Sequence, residues 1–225
     1  MRIIFEKLQK IYLHFYHKMI KCGKSVKEKY VMYEKFINII NKNNGVITAK
    51  DAESKGISRT MLKKMTDNGY IKRIDYGVYS TDKFIYDEYY LFQLKHKNIV
   101  YSYNTALYFQ NMTERTPSKM DVTTKRNTNL ALYKEQINLY RVNQNILNLG
   151  KIKVFTPFGN PVNAYNLERT VCDIINNKTN LDLETANKAI RKCIKSKDFN
   201  ANKMFEYAKK MKIYEKVKNY MEAII

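Results

Sequence analysis

The chain has 225 residues, in which 41 Lys and Arg outnumber 21 Asp and Glu, for a formal net charge of +20. This length suffices for one large or two small domains, and a field of this sign favours polyanionic partners such as nucleic acid. No segment approaches the ~18 apolar residues that span a bilayer, so we exclude a membrane span and expect a cytoplasmic protein. Cys22, Cys172 and Cys193 lack the spacing of a disulfide framework or a metal site, so we expect free thiols.

Residues 1–22 carry apolar side chains at helical spacing with lysines largely elsewhere, which predicts a basic amphipathic helix. Such an N-terminal extension, 1–30, has three alternative roles: it docks on the protein body, pairs with a second subunit, or lies on an anionic membrane surface. Gly23 to Lys29 is predicted to be a polar linker. Whether Met32 is an alternative start stays open. His14 and His17 have no acidic third ligand near in sequence, so a metal site is not favoured.

Residues 31–83 are predicted to begin with three helices. The first shows apolar residues at helical spacing. The second begins at Thr48, where the sequence T-A-K-D forms a capping box, and it ends at Gly56. The third begins at Ser58 and ends at Gly69. Because the connection between the second and third helices is short, this pair is predicted to be a helix-turn-helix.

A β-hairpin is predicted directly after the third helix. Tyr70 to Ile74 and Val78 to Ser80 alternate like strands and flank Asp75-Tyr76-Gly77, which is typical of a turn. Lys72 and Arg73 lie next to this turn. Three helices followed by a basic hairpin predict a winged helix-turn-helix that binds DNA.

A recognition helix of this kind enters the major groove with its N-terminal residues toward base edges, whereas a wing and helix termini usually hold phosphates. We therefore expect base contacts from Arg59, Thr60 and Lys63, with Arg59 first. The candidate DNA-binding residues are Thr48, Lys50, Ser58, Arg59, Thr60, Lys63, Lys64, Lys72, Arg73 and Tyr76. The alternative is a helix and hairpin arrangement that serves only packing or protein contact, with its charges simply solvated.

Residues 84–225 are predicted to form a mixed α/β domain, which makes the whole chain an α+β protein. The sheet is expected to be small and largely antiparallel, with strands at 99–101, 120–124, 137–142 and 151–155. Helices are expected at 85–95, 105–110 and 166–176, followed by a helical C-terminal tail at 185–195, 201–209 and 214–222.

Few groups point to catalysis, since the chain lacks a Gly-rich phosphate loop and the common hydrolase motifs. A metal-dependent nuclease would share the basic charge and needs clustered carboxylates. Glu114, Asp121 and Lys125 are the nearest approach to such a set, but their spacing is not nuclease-like. We expect no catalytic residue, no bound metal and no cofactor, and keep a nuclease as an alternative.

A family resemblance is carried by the predicted winged helix and by three later blocks: Y-S-Y-N-T-A-L-Y from Tyr101 to Tyr108, R-T-P from Arg115, and E-R-T-V-C-D from Glu168 to Asp173. Together and in this order, they resemble the AbiEi antitoxins of bacterial abortive-infection (type IV) toxin-antitoxin systems. The resemblance covers roughly residues 33–177.

The resemblance implies an N-terminal domain that binds inverted repeats in its own promoter and represses transcription. It also implies a C-terminal domain, 84–225, that counteracts a nucleotidyltransferase-like toxin in phage defence, without a stable complex between the two proteins.

The residues in these blocks are only candidates for the antitoxin role. They are Ser102, Asn104, Thr105, Arg115, Glu168, Arg169 and Asp173. A structural alternative exists for most of them: Ser102 to Thr105 can be a helix N-cap and turn, and Arg169 and Asp173 can be an i, i+4 salt bridge.

Overall fold

The computed structural model describes residues 25–176 and 183–224, and the chain divides into two compact units between Ile85 and Tyr86. The helix predicted for residues 1–22, together with His14, His17 and Cys22, lies outside the described residues. Among the residues that are described, no helix is long and apolar enough to cross a membrane.

The first unit contains helices and a three-stranded antiparallel sheet of order β1-β3-β2. Its elements are α1 (Ser25–Lys42), β1 (Val46–Thr48), α2 (Ala49–Ser54), α3 (Arg59–Asp67), β2 (Lys72–Asp75) and β3 (Val78–Ser80). The prediction of a linker was wrong from Ser25 onward, because α1 begins there. No Gly or Pro interrupts the chain between Ser25 and Lys42, so nothing ends the helix early.

The helix ends of this unit follow the predicted capping. Thr48 Oγ1 accepts a hydrogen bond from the Asp51 amide at 3.0 Å, and Ser58 Oγ accepts one from the Met61 amide at 3.2 Å. Both hydroxyls thereby satisfy amides of a first helical turn. The buried core on which these helices pack consists of Phe36, Ile40, Ile47, Ala52, Ile57, Leu62, Met65 and Ile71.

The second unit contains a five-stranded sheet and a larger set of helices. Its elements are α4 (Glu88–Lys95), β4 (Val100–Tyr101), α5 (Tyr103–Phe109), β5 (Met120–Lys125), a 3₁₀ turn (Ala131–Tyr133), β6 (Ile137–Val142), α6 (Gln144–Leu147), β7 (Lys151–Phe155), β8 (Pro161–Tyr165), α7 (Leu167–Asn176), α8 (Leu183–Ile194), α9 (Ala201–Lys210) and α10 (Tyr214–Ile224). The predicted helices and strands are all present, whereas β8 and the two short helical turns were not predicted.

The five strands have the order β6-β5-β4-β8-β7 and form a mixed sheet. The β4/β5 and β7/β8 pairs are antiparallel, whereas β5/β6 and β4/β8 are parallel. The expectation of a largely antiparallel sheet therefore holds for only half of the pairs. The reason is that residues 126–136 cross back along the sheet, so that β6 starts at the same end as β5.

Helix α7 is the centre of the second unit's helical layer. Every residue from Leu167 to Ile175 is buried, the polar ones included. The helices of the C-terminal tail pack against it, through residues such as Ile190, Met204 and Val217. This packing leaves the polar side chains of α7 inside the protein, where they need partners.

Candidate functional site

Helix α3 presents a polar and basic face to solvent. Leu62 and Met65 are buried in the first unit's core, and this orientation of the helix turns the opposite side outward. The exposed residues on that side are Arg59, Thr60, Lys63 and Lys64. The structure therefore exposes, on one side of α3, four of the residues that were predicted to contact DNA.

Arg59 is exposed, yet it has an acidic partner in the preceding helix. Its Nε lies 2.7 Å from Oε1 of Glu53, at the end of α2, and the Arg59 side chain remains 75% exposed. The hydrogen bond and charge of Glu53 raise the pKa of Arg59 further, so the guanidinium stays charged. Glu53 therefore orients the guanidinium and leaves most of its surface accessible.

The β2–β3 hairpin extends a second basic group beside its turn. Tyr76 is 83% exposed at the tip, and the Arg73 guanidinium lies 5.4 Å from the centre of its ring. Lys72 Nζ lies 2.8 Å from Asp82 Oδ1, and both side chains are exposed. A surface ion pair of this kind is weak and opens readily for another anion.

The remaining predicted DNA contacts lie at helix starts. Lys50 is exposed on α2, and Ser58 is exposed at the N-cap of α3. Thr48 is only half-buried, and its hydroxyl also donates to Asp51 Oδ2 at 2.8 Å. The Thr48 side chain is thus engaged within the capping box, and of the ten candidates it has the least freedom to contact a ligand.

In the second unit, Asp121 on β5 lies against the segment that contains the candidates Ser102, Asn104 and Thr105. Asp121 Oδ2 accepts from the Asn104 amide at 3.0 Å, and Thr105 Oγ1 accepts from the Asp121 amide at 2.8 Å. Ser102 occupies the N-cap position of α5 without capping it, and its Oγ instead accepts from Thr123 Oγ1 at 2.8 Å. The predicted capping role of this block therefore belongs to Asp121.

Asp121 is itself largely enclosed. Its Oδ1 accepts from Asn138 Nδ2 at 2.9 Å and from the Tyr140 hydroxyl at 3.3 Å. Burial raises the pKa of Asp121, and the hydrogen bond from Asn138 is the largest effect that opposes this rise. A nuclease-like site with Glu114 and Lys125 receives no support here, since both Asp121 oxygens are engaged. Within the described residues, no group of three or more His, Cys, Asp or Glu could hold a metal ion.

Arg169 and Asp173 on α7 form the i, i+4 salt bridge that the sequence offered as the structural alternative. Arg169 Nε lies 3.0 Å from Asp173 Oδ1, and both side chains are buried. Arg169 Nη1 also donates to the carbonyl oxygens of Ile146 at 2.6 Å and Leu149 at 2.9 Å. Burial raises the pKa of Asp173 to about 6, although the Arg169 charge opposes this rise.

The last two candidates have separate environments. Glu168 Oε1 accepts from the Asn200 amide at 3.1 Å, which fastens α7 to the start of α9. Arg115 is exposed on the segment between α5 and β5. The sequence did not indicate Tyr140, Arg126 or Arg141, which lie near the buried pair of α7, because their proximity depends on strand order.

By its fold, the chain is a two-unit α+β protein whose first unit exposes a basic helix beside a basic hairpin. Residues 37–81, which include this helix and hairpin, match the family model described as "Transcriptional regulator, AbiEi antitoxin". The resemblance to AbiEi-family antitoxins is thereby confirmed for this segment. None of the curated proteins compared with the chain matches it.

A solved structure, the RV2827C protein from Mycobacterium tuberculosis, is similar to the chain with a TM-score of 0.45 and 9% sequence identity. The match covers 83% of this chain and 77% of that one.

Proposed function

We propose that this protein is a DNA-binding antitoxin and transcriptional autorepressor of a bacterial type IV (abortive-infection) toxin-antitoxin system. The observation that carries the proposal is the exposed basic face of α3 beside the basic hairpin, within the segment that matches the AbiEi regulator family. Such a protein acts in the cytoplasm on its own promoter, where inverted repeats would recruit two copies.

In this proposal, residues 31–83 act as a winged helix-turn-helix. Helix α3 enters the major groove, and Arg59, Thr60 and Lys63 contact base edges because they occupy its first turns. Glu53 positions Arg59 for this contact through the hydrogen bond to Nε. An arginine so oriented can pair bidentately with a guanine, which is the commonest specific contact.

Phosphate contacts come from the hairpin and from helix starts. Lys72, Arg73 and Tyr76 project from the wing, while Lys50, Lys64 and Ser58 lie on or beside the two helices of the helix-turn-helix. These contacts hold the protein on the duplex without reading its sequence. Four of these six residues are cations, so each bound copy neutralises about four phosphates, and the slope of log affinity against log salt is expected to be about −4.

The second unit is proposed to counteract a nucleotidyltransferase-like toxin without a stable complex. The support is the family resemblance of the blocks from Tyr101 and from Glu168, which pack in this unit around Asp121 and the Arg169–Asp173 pair. Most of the candidate residues in these two blocks make hydrogen bonds within the unit, which gives them a structural role. The antitoxin role of Ser102, Asn104, Thr105, Arg115, Glu168, Arg169 and Asp173 stays a proposal.

Gel retardation with the protein's own promoter and with random DNA tests the first role. Arg59→Ala should lower the preference for the promoter by about tenfold or more, since one good base contact contributes roughly 1–3 kcal/mol. Lys72→Ala should weaken binding to both DNAs alike. Lys35→Ala, a matched exposed lysine on α1, should change neither affinity. Equal losses on both DNAs for Arg59→Ala would refute the base contact.

Two further results discriminate between functions. If promoter DNA is not retarded near physiological salt, the helix and hairpin serve protein contact instead. Plasmid DNA that is cut in the presence of Mg²⁺ would favour a nuclease. The second role is tested by expression from an unrelated promoter together with a nucleotidyltransferase-like toxin gene, if one lies next to the gene of this protein. The Arg59→Ala, Lys72→Ala protein should still relieve toxicity, because neutralisation is assigned to the second unit.

A further inference from the structure

The second unit contains an open cleft of about 560 Å³ whose mouth is basic. Strands β5 and β6 are parallel, so their carboxyl ends meet at one edge of the sheet. Arg126 follows β5, and Arg141 lies next to the end of β6. Both side chains line the cleft and are exposed, and neither makes an ion pair with a described residue. Ligands commonly bind at the carboxyl ends of parallel strands.

The opposite wall of the cleft is the buried pair of α7. Arg169 uses Nε and Nη1 for protein contacts, and Asp173 uses Oδ1. Arg169 Nη2 and Asp173 Oδ2 are buried and lack a hydrogen-bond partner among the described residues. Two buried polar atoms without partners are unfavourable, and a bound group that accepts from Arg169 Nη2 and donates to Asp173 Oδ2, once these side chains shift to expose them to the cleft, removes this penalty.

An aromatic pair completes the lining. The rings of Tyr103 and Tyr140 lie with their centres 3.9 Å apart and their planes 30° apart. Tyr103 is buried, whereas Tyr140 is partly exposed and is oriented by the hydrogen bond of its hydroxyl to Asp121. A tyrosine held in this way offers a flat apolar surface on which a base can stack.

We propose that this cleft binds a nucleoside phosphate, with its base near Tyr140 and the donor–acceptor pair of α7, and its phosphates on Arg126 and Arg141. The edge of a nucleobase presents adjacent donors and acceptors, and a guanidinium pairs bidentately with phosphate. A volume of this size is ordinary for a pocket that takes a small ligand. The site lies wholly within the second unit and does not depend on DNA binding by the first.

Equilibrium titration of the full-length chain in Mg²⁺-free buffer tests the proposal, with each of the four ribonucleoside triphosphates, inorganic triphosphate and the free nucleosides as probes. At least one nucleoside triphosphate should bind about tenfold or more tightly than inorganic triphosphate. The Arg126→Ala, Arg141→Ala double variant should lose about tenfold or more in affinity, because charged hydrogen bonds to phosphate are lost.

Three variants keep the test specific. Lys153→Ala removes an exposed cation of β7 outside the cleft lining and should leave the affinity unchanged, as should Arg59→Ala on the first unit. Tyr140→Phe keeps the ring and loses only the hydroxyl that bonds Asp121, so the affinity should fall much less than in the double variant. The proposal is overturned by absence of nucleotide binding at millimolar concentration. It is also overturned if inorganic triphosphate binds as tightly as the nucleoside triphosphates. A third contradicting result is a double variant that melts at the wild-type temperature and binds nucleotide with the wild-type affinity.

Discussion

Arg59 Nε donates a hydrogen bond to Glu53 Oε1 at 2.7 Å, which links the first residue of α3 to the end of α2. The bond joins the two helices of the proposed helix-turn-helix at their exposed surface. An anion so close to the proposed DNA contact has two opposing effects: it orients the guanidinium, and it repels phosphate.

Glu53→Gln separates these two effects. Removal of the carboxylate should strengthen binding to random DNA several-fold, because one negative charge less faces the phosphates. The preference for the promoter over random DNA should fall, because Arg59 loses its charged partner and is less well oriented. Gel retardation on both DNAs measures the change. An unchanged preference would show that Glu53 does not position Arg59.

Ser58 combines a capping role with a position on the proposed DNA surface, and two substitutions distinguish them. Ser58→Ala should lower the free energy of unfolding by about 1 kcal/mol, since the Met61 amide loses its acceptor. Ser58→Asp should keep the cap and the stability, because Asp is a good N-cap residue. Urea denaturation followed by circular dichroism measures both variants.

The same pair of variants makes an opposite prediction for DNA. Ser58→Asp places a negative charge at the start of α3 and should weaken DNA binding strongly, whereas Ser58→Ala should weaken it little. If Ser58→Asp binds DNA as well as the wild type, the start of α3 does not face the phosphates.

Gly150 precedes β7 and lies against α7. Its φ is +75°, and an added Cβ would lie 2.6 Å from Arg169 Cβ and 2.7 Å from Asn166 Oδ1. Gly150→Ala should therefore destabilise the protein by about 3 kcal/mol or more, through backbone strain and overpacking together.

Gly159 is a matched control for this substitution. Its φ of +78° is similar, but an added Cβ meets nothing within 4 Å. Gly159→Ala should cost about 1 kcal/mol, from the backbone conformation alone. Equal losses of unfolding free energy for the two variants would contradict the close approach of Gly150 to α7.

Asp173 makes the stability of the second unit depend on pH. Burial raises its pKa from 3.8 to about 6, so the folded protein holds this proton where the unfolded chain has lost it. The contribution of this carboxyl to the free energy of unfolding therefore falls as pH rises from about 4 to about 6, by about 3 kcal/mol. Below this window, both states are protonated.

Asp173→Asn removes this titration. Between pH 4 and pH 7, the free energy of unfolding of the variant should rise by about 3 kcal/mol relative to that of the wild type. Urea denaturation at several pH values measures the shift. Because Asp121 has a raised pKa and remains in both proteins, it does not enter this difference. A constant difference across the window would show that Asp173 titrates near its ordinary pKa.

The first unit was predictable to a large extent from local signals. The N-caps Thr48 and Ser58 bond to amides only three residues away, and Leu62 and Met65 follow helical spacing. The orientation of α3 follows from this pattern, since burial of its apolar face exposes Arg59 and Lys63. The ion pair with Glu53 was not predicted, because the turn between α2 and α3 sets the distance between the two side chains.

In the second unit, local sequence patterns were not sufficient to predict every strand and the strand pairing. The sequence Pro-Val-Asn-Ala-Tyr of β8 was missed, since its alternation is short and it begins with proline. The parallel pairing of β5 with β6 was also missed, and with it the approach of Arg126 to Arg141. Strand order depends on contacts between residues far apart in the chain, which no local pattern reports.

By itself, the sequence determined the capped helices, the basic hairpin and the spacing of Arg169 and Asp173, because hydrogen bonds and side-chain contacts three or four residues apart decide these features. Only the tertiary structure decided that this pair is buried, that carbonyl oxygens of Ile146 and Leu149 bind the guanidinium, and that a basic cleft opens beside it. The physical reason is that the pair becomes buried and the cleft forms only when α7 packs between the sheet and the helical tail. Hydrogen bonds that hold α7 in place span 20 residues to Leu149 and 32 residues to Met204.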